Sequence, residues 1–397
     1  MLPSNSRVAY IKNGDVVLQL ERMGSSRPKG GPDAFLADFL SFTEGAPTLL
    51  LSKDRRDACL EGSTLTAQVI DVSVDKNALH RVLGKFRGFF IILFKLLRFK
   101  PDFLVCGCLG APLWACYLAA RFTGATFVHS RHVDSVVTGG SRLRGLSYQV
   151  NDWIVRRATG VVCHGPYTRA QLLDVGVQAD VLHEFDVGYP PPDNVLSLEQ
   201  LGHADLQGKQ LILYLGRVHA DKGIFDLLDA ARQLLATDSN RQLVVVGAGP
   251  GVKELEQRVA SAGLQAQVQL IGQVPHPHVA AWLSKASVVV TPTRHAKEGR
   301  CLTAMEAMVC GVPVIAPNGG PFPFLVEHEK NGLLYEVDST VDLQQQLTTL
   351  LDKPDLRADL AEGASRTGEA MREPIATFGA AIAKAFGLHW SSPTTMD

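Results

Sequence analysis

Short apolar runs alternate with longer helical patterns along most of this chain, and that alternation restricts the folds available to it. In the second half, the predicted strands are residues 211–215, 242–246, 268–271, 287–291, 312–316 and 332–335. The predicted helices are residues 225–235, 252–262, 278–285, 301–309 and 341–351. Strands separated by helices in this way pair in parallel, so the second half predicts a doubly wound parallel α/β sheet.

The first half shows the same alternation. Its predicted strands are residues 7–11, 48–51, 67–71, 103–106, 126–129, 160–163 and 181–184. Its predicted helices are residues 33–42, 78–99, 109–122, 143–158 and 167–175. A chain of 397 residues is too long for one ordinary hydrophobic core and suits two domains of about 150 to 200 residues each. The predicted fold class is therefore α/β, with two doubly wound parallel-sheet domains.

The segment Tyr189-Pro-Pro-Pro-Asp193 is the predicted linker, because proline lacks an amide donor and restricts the residue before it. We predict a first domain at residues 1–188, a second domain at residues 189–372 and a separate C-terminal segment at residues 373–397. That segment contains a short amphipathic pattern at residues 375–386.

Charge is divided unevenly between the halves, although the net charge of the chain is −1. Residues 1–190 carry 22 Lys and Arg against 17 Asp and Glu, whereas the rest carries 17 against 23. Seven cysteines form no Cys-x-x-Cys pair, which predicts reduced thiols and a cytoplasmic protein. The N-terminus lacks a signal-peptide pattern, and no apolar run approaches the roughly 20 residues of a membrane span.

Two cations follow the predicted strand at 211–215 and precede a predicted helix. Gly216-Arg217 and Lys222-Gly223 lie in the connection where α/β domains usually hold a phosphate group. A cation at a helix start opposes the helix dipole, so this placement indicates an anionic ligand rather than a solvated pair. Arg217 and Lys222 are therefore predicted to bind a diphosphate.

Two carboxylates are eight residues apart further along the chain. Glu306 lies in the predicted apolar helix 301–309, and Glu298 lies in the loop before it. A carboxylate is almost never fully buried without a partner, so we expect Glu306 to face a ligand or solvent. Two cations for a diphosphate and two carboxylates for hydroxyl groups predict a nucleotide-sugar site.

The glycine-rich segment Gly247-Ala-Gly249-Pro250-Gly251 has two interpretations. It follows a predicted strand, as a dinucleotide fingerprint does, but Pro250 and Gly251 disrupt that pattern and no acidic residue ends the next strand. We favour a tight strand-to-helix turn that lines the nucleotide site. No metal is predicted, since the chain has no Asp-x-Asp and His276-Pro-His278 has no further ligand at metal spacing.

In order and spacing, these motifs resemble the donor-binding lobe of the retaining glycosyltransferases of glycosyltransferase family 4. The resemblance covers residues 211–351 and includes Gly311-Val-Pro313-Val-Ile315 followed by Gly319-Gly320. It implies the GT-B fold, in which two Rossmann-like domains face a central cleft. The first domain would bind the acceptor, the second the donor, and a C-terminal helix would cross back to the first.

The resemblance also implies roles for individual residues. Arg217 and Lys222 would bind the diphosphate, Glu306 the ribose and Glu298 the sugar, with the base near Gly272-Gln273-Val274. The family often has Gly-Phe-Gly after the first glutamate, whereas this chain has Gly299-Arg300-Cys301, which leaves the sugar open. The full predicted donor set is Gly30, Gly31, Gly216, Arg217, Lys222, Gly247, Gly272, Gln273, Val274, Glu298, Gly299, Arg300, Cys301, Leu302 and Glu306.

The resemblance further points to a histidine at the end of a strand in the first domain. His129 ends the predicted strand 126–129, and a structural role and a sugar-facing role remain open for it, with His132 as the competing choice. The predicted catalytic residues are His129, Arg217, Lys222 and Glu298. Gly30-Gly31 resembles the family's N-terminal glycine loop, although residues 12–23 insert an unusual segment before it.

The segment at residues 77–100 contains six basic residues and no acidic residue, interleaved with phenylalanines. Its apolar positions, which include Phe86, Phe90 and Phe94, recur at helical spacing. A core-facing helix with a basic outer face is one interpretation. An interfacial helix that brings the first domain to the inner face of an anionic membrane is the other.

The function that the resemblance implies is metal-independent transfer of a sugar from a UDP-sugar or GDP-sugar to an acceptor hydroxyl, with retention. The acceptor would be a sugar, a lipid-linked molecule or a small molecule in bacterial polysaccharide, glycolipid or glycoconjugate biosynthesis. We expect no cofactor beyond this co-substrate and no nucleic-acid partner. A nucleotide-sugar epimerase, a phosphorylase and a non-catalytic nucleotide-sugar or membrane-binding module remain alternatives.

Overall fold

The protein folds into two compact α/β units. A computed structural model describes residues 2–13, 16–23, 31–54, 58–62, 64–71, 78–131, 142–186, 188–189, 192, 195–294, 298, 300–373 and 376–390. Unit 1 comprises residues 1–187 and 375–397, and unit 2 comprises residues 188–374. The chain therefore passes from unit 1 to unit 2 and back again.

Unit 1 is built on an eight-stranded sheet with the order β3-β4-β2-β1-β5-β6-β7-β8. Its strands are β1 (Val8–Asn13), β2 (Thr48–Asp54), β3 (Ala58–Glu61), β4 (Leu65–Asp71), β5 (Phe103–Cys106), β6 (Thr126–Arg131), β7 (Gly160–His164) and β8 (Leu182–Phe185). The described pairs are parallel except that of the edge strand β3 with β4. Helical crossovers between parallel strands place helices on both faces of such a sheet.

The helices of unit 1 form two layers. They are α1 (Val16–Met23), α2 (Gly31–Phe42), α3 (Ala78–Phe99), α4 (Ala111–Thr123), α5 (Arg142–Val155), α6 (Gly165–Asp174) and α13 (Phe378–Ala385). Residues of α3 to α6 share one core with Ala9 and Ile11 of β1, whereas α1, α2 and α13 share the opposite core with Val8 and Tyr10. Side chains alternate between the faces of a strand, so β1 is buried on both sides.

Unit 2 contains six parallel strands in the order β11-β10-β9-β12-β13-β14. They are β9 (Gln210–Leu215), β10 (Arg241–Val246), β11 (Val268–Gly272), β12 (Val288–Val290), β13 (Val314–Pro317) and β14 (Gly332–Tyr335). The strand order reverses between β9 and β12. In open α/β sheets, a ligand crevice forms beyond the carboxyl ends of the strands at such a switch point.

In the described part of unit 2, six helices cover the sheet. They are α7 (Ile224–Thr237), α8 (Val252–Ser261), α9 (His276–Lys285), α10 (Leu302–Val309), α11 (Thr340–Asp352) and α12 (Pro354–Ala370). Ile212 and Tyr214 of β9 pack in the core with α7, α8 and α11, and Leu211 and Leu213 pack in the core with α9 and α10. The predicted doubly wound sheets of both halves are confirmed, whereas α1, β3 and α12 had no counterpart among the predicted elements.

The two compact units join at 187/188 and 374/375. The domain boundaries predicted from the sequence lie at 188/189 and 372/373 and stay predictions. Most of the proline-rich linker lies outside the described residues. Within the described part of the chain, no helix is both long enough and apolar enough to cross a membrane.

Candidate functional site

The loop after β9 carries the two predicted cations. Arg217 is exposed, and Lys222 ends a short 3-10 turn at Ala220–Lys222. Gly223, the N-cap residue of α7, has a φ of 68°, and a Cβ atom there would lie 1.8 Å from the Pro292 carbonyl oxygen. Only glycine allows this close approach, which joins the loop after β9 to the loop after β12.

Glu298 lies in the loop after β12 and connects it to Lys222. Its Oε1 atom forms an ion pair with Lys222 Nζ and accepts a hydrogen bond from Thr293 Oγ1 at 2.9 Å. Both partners of the ion pair are partly exposed. The carboxylate is therefore fixed from two sides at the switch point of the sheet, while it stays accessible to a ligand.

Arg294 gives the same loop a second anchor. Its guanidinium donates two hydrogen bonds to Asp226 of α7, at 2.6 and 2.8 Å. The pKa of Arg294 is raised by this hydrogen-bonded carboxylate. A bidentate Arg–carboxylate pair fixes geometry as well as charge, so the loop that presents Glu298 is tied to the start of α7.

A pocket of about 230 Å³, here called the cation pocket, opens beside these loops. Its lining includes seven of the residues predicted from the sequence: Gly216, Arg217, Lys222, Glu298, Arg300, Cys301 and Leu302. Among the described residues that line it, three side chains are cationic and one is a carboxylate. The pocket therefore suits a ligand that combines negative charge with hydroxyl groups.

A second pocket of about 390 Å³, here called the Glu306 pocket, adjoins the first. The two pockets share Leu215, Gly216, Arg217 and Thr303 in their walls. The predicted residues in the second lining are Gly216, Arg217, Gly247, Gln273, Val274 and Glu306. The structure thus brings the diphosphate, ribose and base residues predicted from the sequence to one continuous site in unit 2.

The glycine-rich segment after β10 forms part of the wall. Backbone hydrogen bonds run from Gly216 N to Val246 O at 3.0 Å and from Gly247 N to Gly272 O at 2.8 Å, which joins the loops after β9, β10 and β11. Gly247 has a φ of 144°, and a Cβ atom there would lie 1.8 Å from the Gly216 carbonyl oxygen. This close packing explains why residue 247 is a glycine, so a bound dinucleotide is not needed to explain it.

A buried tyrosine of β9 supports the loop that carries Arg217. The Tyr214 hydroxyl donates a hydrogen bond to the Arg217 carbonyl oxygen at 2.7 Å. Burial raises the pKa of Tyr214, and the nearby Glu298 carboxylate raises it further. The phenol therefore stays neutral and keeps its donor directed at the loop.

Three supporting residues were missed from the sequence: Tyr214, Thr293 and Thr303. The Thr303 hydroxyl, at the start of α10, donates to the Leu215 carbonyl oxygen at 3.3 Å. Tyr214 carried one recognisable signal, since a tyrosine in an otherwise aliphatic buried strand usually needs a partner for its hydroxyl. The threonines carried none.

Other predicted site residues lie outside these pockets or outside the described residues. Gly272 ends β11 with a φ of 77° and contacts the wall through its carbonyl oxygen. Gly31 is the first residue of α2 in unit 1. Gly30, Gly299 and His132 lie outside the described residues.

His129 lies in β6 of unit 1, and its side chain is 1% exposed. Burial lowers its pKa to about 3, and the positive charge of Arg131 contributes to the shift. The imidazole is therefore neutral at physiological pH. A neutral imidazole can donate or accept a hydrogen bond, but it supplies no charge to a ligand.

No group of three or more His, Cys, Asp or Glu side chains in the described part of the chain is arranged to hold a metal ion.

The fold and the site together define a class of protein. It comprises α/β proteins whose cations and carboxylates meet where the strand order of the sheet reverses, an arrangement that suits an anionic ligand with hydroxyl groups. Comparison with known families makes the class specific. The profile of Glycosyl transferases group 1 matches residues 202–367, and the profile of the Glycosyl transferase 4-like domain matches residues 48–188.

Individual proteins that are similar in sequence to this chain are also described as transferases. The chain is 30% identical over 244 residues to the lipopolysaccharide core biosynthesis mannosyltransferase LpsB of Rhizobium meliloti, covering 59% of this chain and 67% of that protein. It is 29% identical over 160 residues to the alpha-D-kanosaminyltransferase of Streptomyces kanamyceticus, covering 40% of this chain and 41% of that protein. The chain thus spans about two fifths of the length of the latter.

A solved structure shows the same fold over nearly the whole chain. HepE of Anabaena, crystallised in complex with UDP, superposes with a TM-score of 0.69 at 17% identity, covering 96% of this chain and 99% of that one. The protein has the GT-B fold and belongs to the group 1 glycosyl transferases, the glycosyltransferase family 4 that its motifs resemble.

Proposed function

We propose that this protein is a retaining, metal-independent hexosyltransferase that moves a sugar from a nucleotide-diphosphate sugar to an acceptor hydroxyl. The observation that carries the proposal is the joined pair of pockets in unit 2. The cation pocket holds Arg217, Lys222 and Glu298, and the Glu306 pocket continues from it past Gln273 and Val274. This order matches the order of sugar, diphosphate, ribose and base in a donor.

Arg217 and Lys222 are assigned to the diphosphate. Negative charge develops on the diphosphate as the glycosidic bond to the donor breaks, and fixed cations stabilise that charge. Two side-chain cations supply the stabilisation that a divalent metal supplies in other transferases, which supports metal independence. No cofactor beyond the co-substrate is needed for this chemistry.

The two carboxylates are assigned to hydroxyl groups. Glu298 would accept hydrogen bonds from the sugar, and Thr293 holds the carboxylate in place at 2.9 Å. Glu306 would accept hydrogen bonds from the ribose, with the base near Gly272, Gln273 and Val274. Gly299, Arg300, Cys301 and Leu302 complete the proposed donor set.

The ion pair between Lys222 and Glu298 supports a coupled role for the two residues. A bound donor would place its diphosphate against Lys222 and its sugar against Glu298, so each partner would exchange part of the ion pair for a ligand contact. The desolvation cost of both charges is already partly met in the free protein, because each is paired and partly buried.

His129 is proposed at the reacting face of the sugar, with His132 as the competing choice. Its position two residues before the carboxyl end of β6 supports the proposal, since ligand sites of parallel sheets form at that edge. Because the imidazole is buried, the residues around it would have to move before it could contact a sugar. Gly30 and Gly31 are proposed beside the donor phosphates.

The proposed reaction needs no protein nucleophile. In the same-face mechanism thought to operate in the family, the leaving phosphate helps to deprotonate the acceptor hydroxyl. We propose a sugar, a lipid-linked molecule or a small molecule as the acceptor, in bacterial polysaccharide, glycolipid or glycoconjugate biosynthesis. A cytoplasmic protein that meets the inner face of an anionic membrane through residues 77–100 fits this role.

Titration of the purified protein with UDP and GDP tests the donor site, and turnover with UDP-sugars and GDP-sugars tests the reaction. Arg217→Ala and Lys222→Ala should each lower turnover by more than about a hundredfold, because one electrostatic stabiliser commonly contributes about 3 kcal/mol. Lys330→Ala, which removes an exposed ion-paired lysine of the same unit, is the matched control and should leave turnover unchanged.

Two further measurements test the finer parts of the proposal. Activity should persist in excess chelator, and a complete loss that added metal restores would overturn metal independence. Nuclear magnetic resonance of the product should show the anomeric configuration of the donor, and inversion would overturn retention. Formation of an epimeric nucleotide sugar without any acceptor would identify an epimerase instead, whereas release of free sugar would be hydrolysis of the donor.

A further inference from the structure

The outward face of α3 carries a stripe of phenylalanines. Phe86, Phe90 and Phe94 are between 59% and 64% exposed and are spaced four residues apart, so they line one face over about 12 Å. Ile92 and Leu96 occupy the opposite face and pack in the core. α3 therefore faces the core and has a basic outer face, as one interpretation of the sequence held. The three phenylalanines, which that interpretation counted among the core-facing positions, lie on the outer face instead.

The neighbouring helix extends the apolar surface. α4 packs beside α3 over the same core, and its outward side exposes Leu118 and Phe122, the latter to 74%. We call Phe86, Phe90, Phe94, Leu118 and Phe122 the aromatic patch. Since an aromatic side chain has about 200 Å² of surface, its phenylalanines leave on the order of 500 Å² in water. This area lies within the range of the largest apolar patch on an ordinary monomer, and such a patch often serves as an interaction surface.

The charges around the aromatic patch have one sign. Between Lys76 and Val133 the sequence contains one acidic residue, Asp102, and its carboxylate accepts a hydrogen bond from the Arg7 amide at 2.8 Å. Among the side chains of α3 and α4 that the structure describes, Arg87, Arg98 and Arg121 are exposed. The described charges on the two helices of the aromatic patch are therefore cationic.

These charges decide between two occupants. A symmetric dimer through the aromatic patch would place the arginines of two copies near each other, and like charges across an interface oppose association. An anionic bilayer presents the complementary charge together with an apolar interior. Phenylalanine and arginine on one outward face are the composition of surfaces that lie in the interface of an anionic membrane.

We propose that the aromatic patch inserts into an anionic bilayer, with the phenylalanines among the acyl chains and the arginines on the lipid phosphates. The proposal deepens the proposed function and rests on it only for the lipid-linked acceptor. It differs from simple electrostatic attraction of residues 77–100 in two ways. The contact surface includes α4, and insertion of phenylalanine adds a component that salt does not screen.

Flotation of the full-length protein with vesicles tests this inference. The probes are vesicles of phosphatidylcholine alone and of equimolar phosphatidylcholine and phosphatidylglycerol, each at low and at high salt. The protein should float with the anionic vesicles, less at high salt but not to zero. Phe90→Ser/Phe94→Ser and Phe122→Ser should each weaken this binding by about tenfold or more.

Controls separate the possible failures. Phe324→Ser removes an exposed phenylalanine of unit 2 and should bind vesicles as the unchanged protein does. Failure of the unchanged protein to float, equal binding to neutral vesicles, or full binding by the serine variants would overturn the inference. A concentration-dependent dimer that the serine variants lose would assign the patch to a second copy. UDP titration of every variant tests the donor site separately, since the patch lies in unit 1.

Discussion

Two side chains hold the Glu298 carboxylate in the site. It pairs with Lys222 across 76 residues of sequence and accepts a hydrogen bond from Thr293. The ion pair holds Lys222 where the diphosphate is proposed to bind, and at the same time the carboxylate competes with that diphosphate for the cation. The charge and the shape of Glu298 can therefore be tested separately.

Glu298→Gln should leave UDP binding at least as tight as in the unchanged protein while turnover falls by about a hundredfold. The amide keeps the shape of the side chain but no longer neutralises Lys222, and it loses the charge proposed to act on the sugar. Titration calorimetry and initial rates measure the two effects. Glu327→Gln, which breaks an exposed pair with Lys330, is the control. Weaker UDP binding in Glu298→Gln would contradict the assignment.

His129 gives a prediction for the pH dependence of stability. Its folded-state pKa is lowered to about 3 from an ordinary value of 6.5, so between these values the unfolded chain binds a proton that the folded protein does not. The free energy of unfolding should therefore fall as the pH falls through this window, by about 2 kcal/mol between pH 7 and 5 from this group. Denaturant unfolding of the wild type and of His129→Gln should show a shallower fall in the variant, and parallel curves would contradict a buried neutral imidazole.

Three of the predicted site residues were indicated by their charge alone. Arg217 and Lys222 carry positive charge where it opposes a helix dipole, and Glu306 carries negative charge in an apolar helix, so a ligand was expected at each. Glu298 was predicted from its spacing to Glu306 and from the family resemblance. Thr293 and Thr303 are common residue types, and their roles depend on which loops meet. The pairing of Lys222 with Glu298 could not be predicted, because it depends on the adjacency of β9 and β12.

At the scale of elements, the loops after β9, β10 and β11 form one wall through backbone hydrogen bonds. Gly247→Ala tests this wall, and Gly263→Ala is its control. Both glycines have positive φ, but a Cβ atom at Gly263 meets nothing within 4 Å, whereas at Gly247 it meets the Gly216 carbonyl oxygen at 1.8 Å.

Gly247→Ala should cost about 1 to 3 kcal/mol more unfolding free energy than Gly263→Ala, because the neighbouring loop must move to admit the methyl group. That loop carries Arg217, so Gly247→Ala should also weaken UDP binding. Urea unfolding and UDP titration of the two variants provide the measurements. Equal losses in both variants would mean that backbone strain alone matters at Gly247.

The elements missed from the sequence each lack a strong periodic signal. α12 contains Gly363 and Gly368, which are poor helix formers, yet a Cβ atom at Gly363 would lie 1.8 Å from the Lys330 carbonyl oxygen. The helix is there because small residues let it pack closely, and that reason appears only in the folded chain. β3 has four residues at a sheet edge, and α1 has eight. Both bounds of α3 were predicted from the sequence. Its buried face could not be predicted, because apolar residues occur on all sides of this helix.

At the scale of the whole molecule, the chain returns to unit 1 after it completes unit 2. α13 is then buried in the core that α1 and α2 share with the sheet. The ring of Phe378 lies 5.0 Å from that of Phe185, 5.8 Å from that of Phe35 and 6.1 Å from that of Tyr10, measured between centroids. The last helix therefore completes the aromatic core of the first unit.

Phe378→Ala should destabilise unit 1 by about 3 to 5 kcal/mol, the usual cost of removing a buried phenylalanine ring. Amide hydrogen exchange measured by mass spectrometry should quicken across β1, β7 and β8 and stay unchanged across the strands of unit 2. UDP binding should persist, because the proposed donor site lies in unit 2. Phe122→Ala, which removes an exposed phenylalanine of unit 1, should change neither amide hydrogen exchange nor UDP binding. If the strands of unit 2 exchanged faster to the same extent, the two units would unfold as one cooperative body, and α13 would stabilise the whole chain rather than the first unit.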